Sequence, residues 1–206
     1  MKVKVLLFDL GGVLVDYVGP QRLWVLLGTS LPLSDVQKRW PHSKSLRRFE
    51  TGSTSAETFA AEFVAEWGLR LTPEDFLHEF STWSRAPYPG ALELLANLRE
   101  KATLACLTNM NAAYWEKNRD TMGFGKALDR CYASHEIGLL KPDREIYAHV
   151  IADLKCDPSQ IAFFDDSERN VEGARAIGML GYQVEGIAAL RAAIRHVYGG
   201  NPTSHD

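Results

Sequence analysis

Asp9 stands at the end of a short apolar run, residues 3–8, and is followed closely by Gly11 and Gly12. Thr108 and Asn109 close a second such run, residues 103–107, and Asp165 and Asp166 close a third, residues 161–164. Lys141 precedes Pro142 where a helix-period segment begins. Carboxylates and a hydroxyl at strand ends, with an ammonium at a helix entrance, make a set that can handle a phosphoryl group. Three crowded carboxylates repel one another and raise their own pKa values. A divalent cation resolves that conflict, and an all-oxygen donor set suits Mg²⁺. Thr108 can donate to a phosphate oxygen, and Lys141 can neutralise charge that develops there. Asp9 can attack phosphorus, giving an aspartyl-phosphate that water then hydrolyses.

The elements that must position these residues follow from periodicity. Residues 3–8, 103–107, 161–164 and, more weakly, 179–184 have the pattern of strands buried on both faces. Helix-period segments lie between them. Pro89 opens one, with Leu92, Leu95 and Leu98 on its inner face and Glu100 and Lys101 at its close. Pro142 opens another, with Ile146, Val150 and Leu154 or Ile151 inward, and its free N–H groups suit a ligand phosphate. Residues 171–177 form a shorter one, stopped by Gly178. This alternation predicts an α/β chain: a Rossmann-like parallel sheet with helices on both faces. Such sheets bind ligands beyond the C-terminal ends of their strands, where Asp9, Thr108, Asn109, Asp165 and Asp166 fall.

Residues 17–88 break the alternation. They contain helix starts and no convincing strand. Ser34 is expected to cap a helix running to Trp40, and Thr54 with Glu57 forms a capping box ahead of Phe59 and Phe63. Thr72-Pro73-Glu74-Asp75 is a further start, ahead of Phe76, Leu77 and Phe80. A structureless loop of this length does not suit a compact domain. The segment therefore reads as an inserted helical cap subdomain over 17–88, with the α/β core formed by 1–16 and 89–206. Helical spacing makes the insert's aromatics mostly its own core. The polar residues 199–206 are expected to fray.

The 206 residues suffice for one core and a small accessory lobe. A formal net charge of −3, with no basic run, argues against a nucleic-acid partner. The three cysteines are widely spaced, which argues against a disulfide framework or a structural zinc site and fits a reducing cytosol. Cys106 and Cys131 read as small buried hydrophobes. The six histidines show no ligand spacing. No run reaches the roughly 18 apolar residues of a membrane span, and Asp9 interrupts the only leader-like stretch. The expectation is a soluble, unprocessed, cytoplasmic protein, monomeric or homodimeric.

Four segments, Phe8-Asp9-Leu10-Gly11-Gly12-Val13-Leu14, Leu107-Thr108-Asn109, Lys141-Pro142-Asp143 and Phe163-Phe164-Asp165-Asp166-Ser167, resemble in order and spacing the four motifs of the haloacid dehalogenase-like (HAD) superfamily. The insert also sits where that superfamily places its helical cap. Arg48-Phe49-Glu50-Thr51-Gly52 resembles the cap segment of its epoxide-hydrolase N-terminal-type and glucose-1-phosphate-type phosphatases. The resemblance implies that Asp9 is nucleophile and metal ligand, and that the Gly11 carbonyl also binds the metal. Thr108, Asn109, Lys141 and the turn at Gly11 would hold phosphate. Asp166, with Asp165 beside it, would complete a Mg²⁺ site, and Asn170 would orient those acids. The implied substrate is a small phosphorylated metabolite, for example a sugar phosphate.

One position departs from the family pattern. Phosphatases of the superfamily usually carry a second Asp two residues after the nucleophile, to protonate the leaving group and later activate water. This chain has Gly11 there. Such help is typically worth roughly 10²–10⁴-fold. A good leaving group, an ordered water or a residue such as Asp16, His42 or Glu50 would have to make up for it. Two other functions share the motifs: metal-independent 2-haloacid dehalogenation, whose enzymes also lack the second Asp, and non-catalytic binding of a phosphometabolite.

Overall fold

The computed structural model describes residues 2–28 and 31–199. The chain begins with β1 (Val5–Phe8), turns back through β2 (Val15–Tyr17), and then forms α1 (Gly19–Leu27), α2 (Leu33–Arg39), α3 (Lys44–Glu50), α4 (Ala56–Trp67) and α5 (Pro73–Ser81). Next come β3 (Ser84–Pro87), α6 (Ala91–Leu98), β4 (Thr103–Thr108), α7 (Ala112–Glu116), α8 (Phe124–Ala127), β5 (Arg130–Ala133) and α9 (Ser134–Ile137). The last elements are α10 (Arg144–Leu154), β6 (Ile161–Asp165), α11 (Glu168–Ala176), β7 (Leu180–Gln183) and α12 (Gly186–Gly199).

Five parallel strands form one sheet in the order β5-β4-β1-β6-β7. The first strand lies in its middle, so both faces of an all-apolar strand need cover. Val5 and Leu7 pack with Ile146, Tyr147 and Val150 of α10 and Ala174 of α11. Leu6 and Phe8 belong to the opposite core, with Leu94, Leu95 and Leu98 of α6 and Leu190 and Ile194 of α12. Phe8 stacks on Phe164 at 5.4 Å, and Phe164 on Tyr182 at 5.3 Å, across three neighbouring strands. The expected Rossmann-like α/β class is the one observed.

Several local expectations are corrected. Strand β5 was not anticipated, because an edge strand covered on one side lacks the continuous apolar run of a central one. Its Cys131 is half-buried, so of the two cysteines read as buried only Cys106 is. Strands β2 and β3 pair antiparallel where the chain leaves the sheet and returns to it. Their ladder arises because two distant passages run side by side, which no local pattern encodes. Leu92 is 39% exposed; Ala91, Leu94, Leu95 and Leu98 form the inner face of α6 instead. Pro32, not Ser34, precedes α2. Ser55, one residue later than Thr54, caps α4 by accepting from the Thr58 N–H at 3.2 Å. Thr72 does cap α5, accepting from the Asp75 N–H. Helix α10 begins at Arg144 rather than at Pro142, and α11 begins at Glu168, ahead of residue 171. The expected fraying lies, apart from Gly199, outside the described residues.

Between β2 and β3 the helices close on their own aromatic cluster. Phe49 stacks on Phe59 at 4.2 Å and Phe63 on Phe76 at 4.8 Å, with Trp83 fully buried beside them. Ser43 caps α3. The Glu66 carboxylate of α4 accepts from the Lys44 and Ser45 N–H groups at 3.0 Å each, tying the start of α3 to α4. Phe80 stacks on Tyr114 of α7 at 4.9 Å, which joins this cluster to the larger core. No helix among the described residues is long and apolar enough to cross a membrane.

Phe59 is fully buried and touches four other rings of the cluster. Phe59→Ala should therefore lower unfolding free energy in urea by about 3–5 kcal/mol. A loss below about 1 kcal/mol would mean that the cluster is not the insert's core.

Candidate active site

The strand order decides the site. Strands β4, β1 and β6 are neighbours, so Thr108, Asp9 and Asp165 emerge side by side at one edge of the sheet. After Asp9 the chain makes a tight turn in which the Leu10 carbonyl accepts from the N–H groups of Leu14 at 2.9 Å and Val15 at 2.7 Å. Gly12 has φ +74° there, and a side chain at this position would run into the Asp166 carboxylate. The glycine thus leaves room for an acid rather than merely permitting a bend.

Lys141 is buried, with its ammonium 3.0 Å from Asp9 Oδ1 and 2.6 Å from Asp165 Oδ2. Burial opposes its charge, but Asp165 and Asp9 outweigh that and raise its pKa. Asp165 is fully buried and engaged on all sides: besides Lys141 it accepts from the Ser167 N–H at 2.9 Å and from Asn170 Nδ2 at 3.0 Å. Asp9 Oδ1 also accepts from the Leu10 N–H at 2.7 Å, which leaves Oδ2 as the oxygen without a protein donor among the described residues. Burial lifts the Asp9 carboxyl to about 6; Lys141 pulls against that rise and Asp165 adds to it. Asp166 opens into the cavity, whose walls still strip away much of its water. That desolvation, with repulsion from Asp9 and Asp165, lifts its carboxyl to about 8.

Oxygen atoms of Asp9, Asp165 and Asp166 lie within 4.8 Å of one another. These hard donors fit Mg²⁺, and the upward shifts of Asp9 and Asp166 mark negative charge that a cation would relieve.

Asn109 lies beside Thr108 and also holds the Lys141 backbone. Its Oδ1 accepts from the Lys141 N–H at 2.9 Å and its Nδ2 donates to the Lys141 carbonyl at 3.0 Å. The side chain therefore clamps the Lys141 backbone. Asn170 Nδ2 donates to both carboxylate oxygens of Asp165, at 3.0 and 3.2 Å.

A cavity of about 430 Å³ opens above this edge, lined by Asp9, Gly11, Thr108, Asn109, Lys141, Asp166 and Asn170. Aromatic walls come from Tyr17, Trp40, Phe80 and Tyr114. Of the three residues considered as substitutes for the missing acid, Glu50 lines the cavity. Asp16 instead pairs with Arg85 at 3.2 Å, and His42 contacts Arg169 at 3.1 Å. Tyr17, Arg47 and Ser134 were not singled out from sequence. Only their approach in space relates them to the motifs, and Arg47, beside the Arg48–Glu50 stretch, is the one that proximity in sequence might have flagged.

A family described as haloacid dehalogenase-like hydrolase matches residues 3–178. The chain belongs to that family. The D-ribitol-5-phosphate phosphatase of Bacteroides thetaiotaomicron is 26% identical over 92% of this chain and 95% of its own length. The sesquiterpene phosphatase astK of Aspergillus oryzae is 25% identical over 95% and 97%. A HAD family enzyme of Bacteroides thetaiotaomicron, bt-2542, solved in complex with magnesium and inorganic phosphate, superposes with a TM-score of 0.71 at 24% identity, covering 89% of this chain and 94% of that one. Named phosphatases thus match this HAD-like hydrolase over nearly its whole length.

Asp9, Asp166 and Glu50 all hold protons in the folded state to higher pH than in the unfolded chain. Between about pH 4 and pH 8 the folded state thus binds more protons, and stability contributed by these groups falls as pH rises. The metal-free protein should melt at a lower temperature near pH 8.5 than near pH 5.5, and added Mg²⁺ should raise the melting temperature more at the higher pH. Equal stabilisation by Mg²⁺ at both pH values would contradict a metal site on these acids.

Proposed function

We propose that the protein is a Mg²⁺-dependent phosphomonoesterase acting on a small phosphorylated metabolite, a sugar or polyol phosphate being the first candidate, through an aspartyl-phosphate on Asp9. The observation that carries this reading is the gathering of Asp9, Asp165 and Asp166 within 4.8 Å beside the buried Lys141 ammonium. Asp9, Asp166 and the Gly11 carbonyl would hold the ion, with Asp165 behind them. When bound, Mg²⁺ would supply the positive charge that offsets these acids and polarises the phosphoryl group.

Asp9 attacks through its free oxygen while Lys141 and the Leu10 N–H hold the other one in place. Lys141 also meets negative charge developing on the phosphoryl oxygens, and Thr108 donates its hydroxyl to one of them. Asn109 keeps Lys141 in position through its backbone. Residues 17–88 act as a cap that walls the cavity and keeps bulk water from the acyl phosphate. The relatives that act on phosphorylated small molecules support the substrate class, and the protein is proposed to work in the cytoplasm.

Metal-independent dehalogenation is disfavoured by Asp166, an acid that needs a cation beside Asp9. The deciding assay is phosphate release from a panel of phosphorylated metabolites with Mg²⁺. Wild-type protein should turn over at least one, and Asp9→Asn or EDTA should reduce release to background. Turnover that persists in EDTA, or no release from any substrate, would overturn the reading.

A further inference from the structure

Tyr17 lies beside the position where the family usually places a second Asp. A side chain on Gly11 would lie 3.4 Å from Tyr17 Cβ and 3.5 Å from Tyr17 Cγ, so the Tyr17 ring occupies the space beside it. Proton transfer must come from elsewhere in the cavity wall. Besides Asp9 and Asp166, the carboxylates there are Glu50 and Glu185.

Glu50 is the last residue of α3, and that end of the helix is fastened to the sheet domain on both sides of the cavity. The Glu50 carbonyl accepts from Ser134 Oγ at 2.6 Å, and Ser134 Oγ in turn accepts from the Met110 N–H at 2.9 Å, two residues beyond Thr108. One turn earlier, Arg47 pairs with Asp143 at 3.1 Å, two residues beyond Lys141. Gly52, with φ +70°, approaches the His135 carbonyl so closely that a Cβ would sit 2.7 Å from it. This close seating holds the backbone of Glu50 rigidly. Its carboxyl, by contrast, has no hydrogen-bond partner among the described residues. It lines the same cavity as Asp9, Arg47 and Lys141.

We infer that Glu50 is the general acid and base of this enzyme, delivered from the insert in place of the acid missing at Gly11. This inference rests on the phosphatase reading above. In the first step Asp9 bonds to phosphorus as the bond from phosphorus to the leaving oxygen breaks. That bond's electron pair stays on the leaving oxygen, which takes the Glu50 proton and departs as an alcohol. In the second step the water oxygen bonds to phosphorus, and the Glu50 carboxylate takes the water's proton. The bond from phosphorus to Asp9 breaks, its electron pair returns to the carboxylate, and inorganic phosphate leaves. Glu185 also lines the cavity, but it is exposed and lies just beyond β7.

The test compares two probes of similar size, 4-nitrophenyl phosphate with a good leaving group and benzyl phosphate with a poor one, at saturating Mg²⁺. For Glu50→Gln, kcat/KM on benzyl phosphate should fall by about 10²-fold or more, and on 4-nitrophenyl phosphate by less than about 10-fold. Glu185→Gln should leave the ratio between the probes unchanged. Thermal unfolding of each variant controls for folding, and a purely structural role for Glu50 would lower both probes together. An unchanged ratio in Glu50→Gln, or a changed one in Glu185→Gln alone, would overturn the inference while leaving the phosphatase reading intact. Wild-type protein inert toward both probes and the metabolite panel would instead remove the reading on which it rests.

Discussion

Lys141 holds its ammonium 3.0 Å from Asp9 and 2.6 Å from Asp165, almost fully out of water. A lone buried ammonium would be too costly to keep, and two buried carboxylates without it would repel one another. Together the three groups offset most of that cost and fix one another's geometry. The neighbouring interactions serve the same arrangement. Asn109 grips the Lys141 backbone at both ends, Asn170 and the Ser167 N–H saturate Asp165, and Leu10 holds one oxygen of Asp9. What remains uncommitted is one oxygen of Asp9 and the open carboxylate of Asp166, which is where chemistry can take place.

The insert serves that site in two ways. Its aromatic cluster makes it a rigid body, because rings such as Phe49 on Phe59 and Phe63 on Phe76 interlock with little freedom to slide. It meets the sheet domain through the Phe80–Tyr114 ring stack and through polar contacts that include Ser134 to the Glu50 carbonyl, Arg47 to Asp143 and Arg169 to His42. That packing and these contacts set where Glu50 meets the cavity.

Much of this was legible in the sequence because the relevant physics is local. An apolar run buried on both faces declares a central parallel strand, and an acid just past its end declares the functional edge. Thr72 announces its helix with a side chain that reaches the third N–H beyond it. The failures are equally physical. Strand β5 is an edge strand without two buried faces, Leu92 falls on the outer side of its helix, and Ser55 rather than Thr54 reaches the helix it caps.

The types and order of Asp9, Thr108, Lys141, Asp165 and Asp166, and the presence of a helical insert between the first strand and the rest, were determined by the sequence alone. Only the tertiary structure decided that Asn109 clamps Lys141, that Tyr17 fills the space beside Gly11, and that Glu50 rather than Asp16 or His42 enters the cavity. Those outcomes depend on which distant segments come within a few ångströms of each other. Periodicity sets which face of an element is buried, but carries no information about which partner it is buried against.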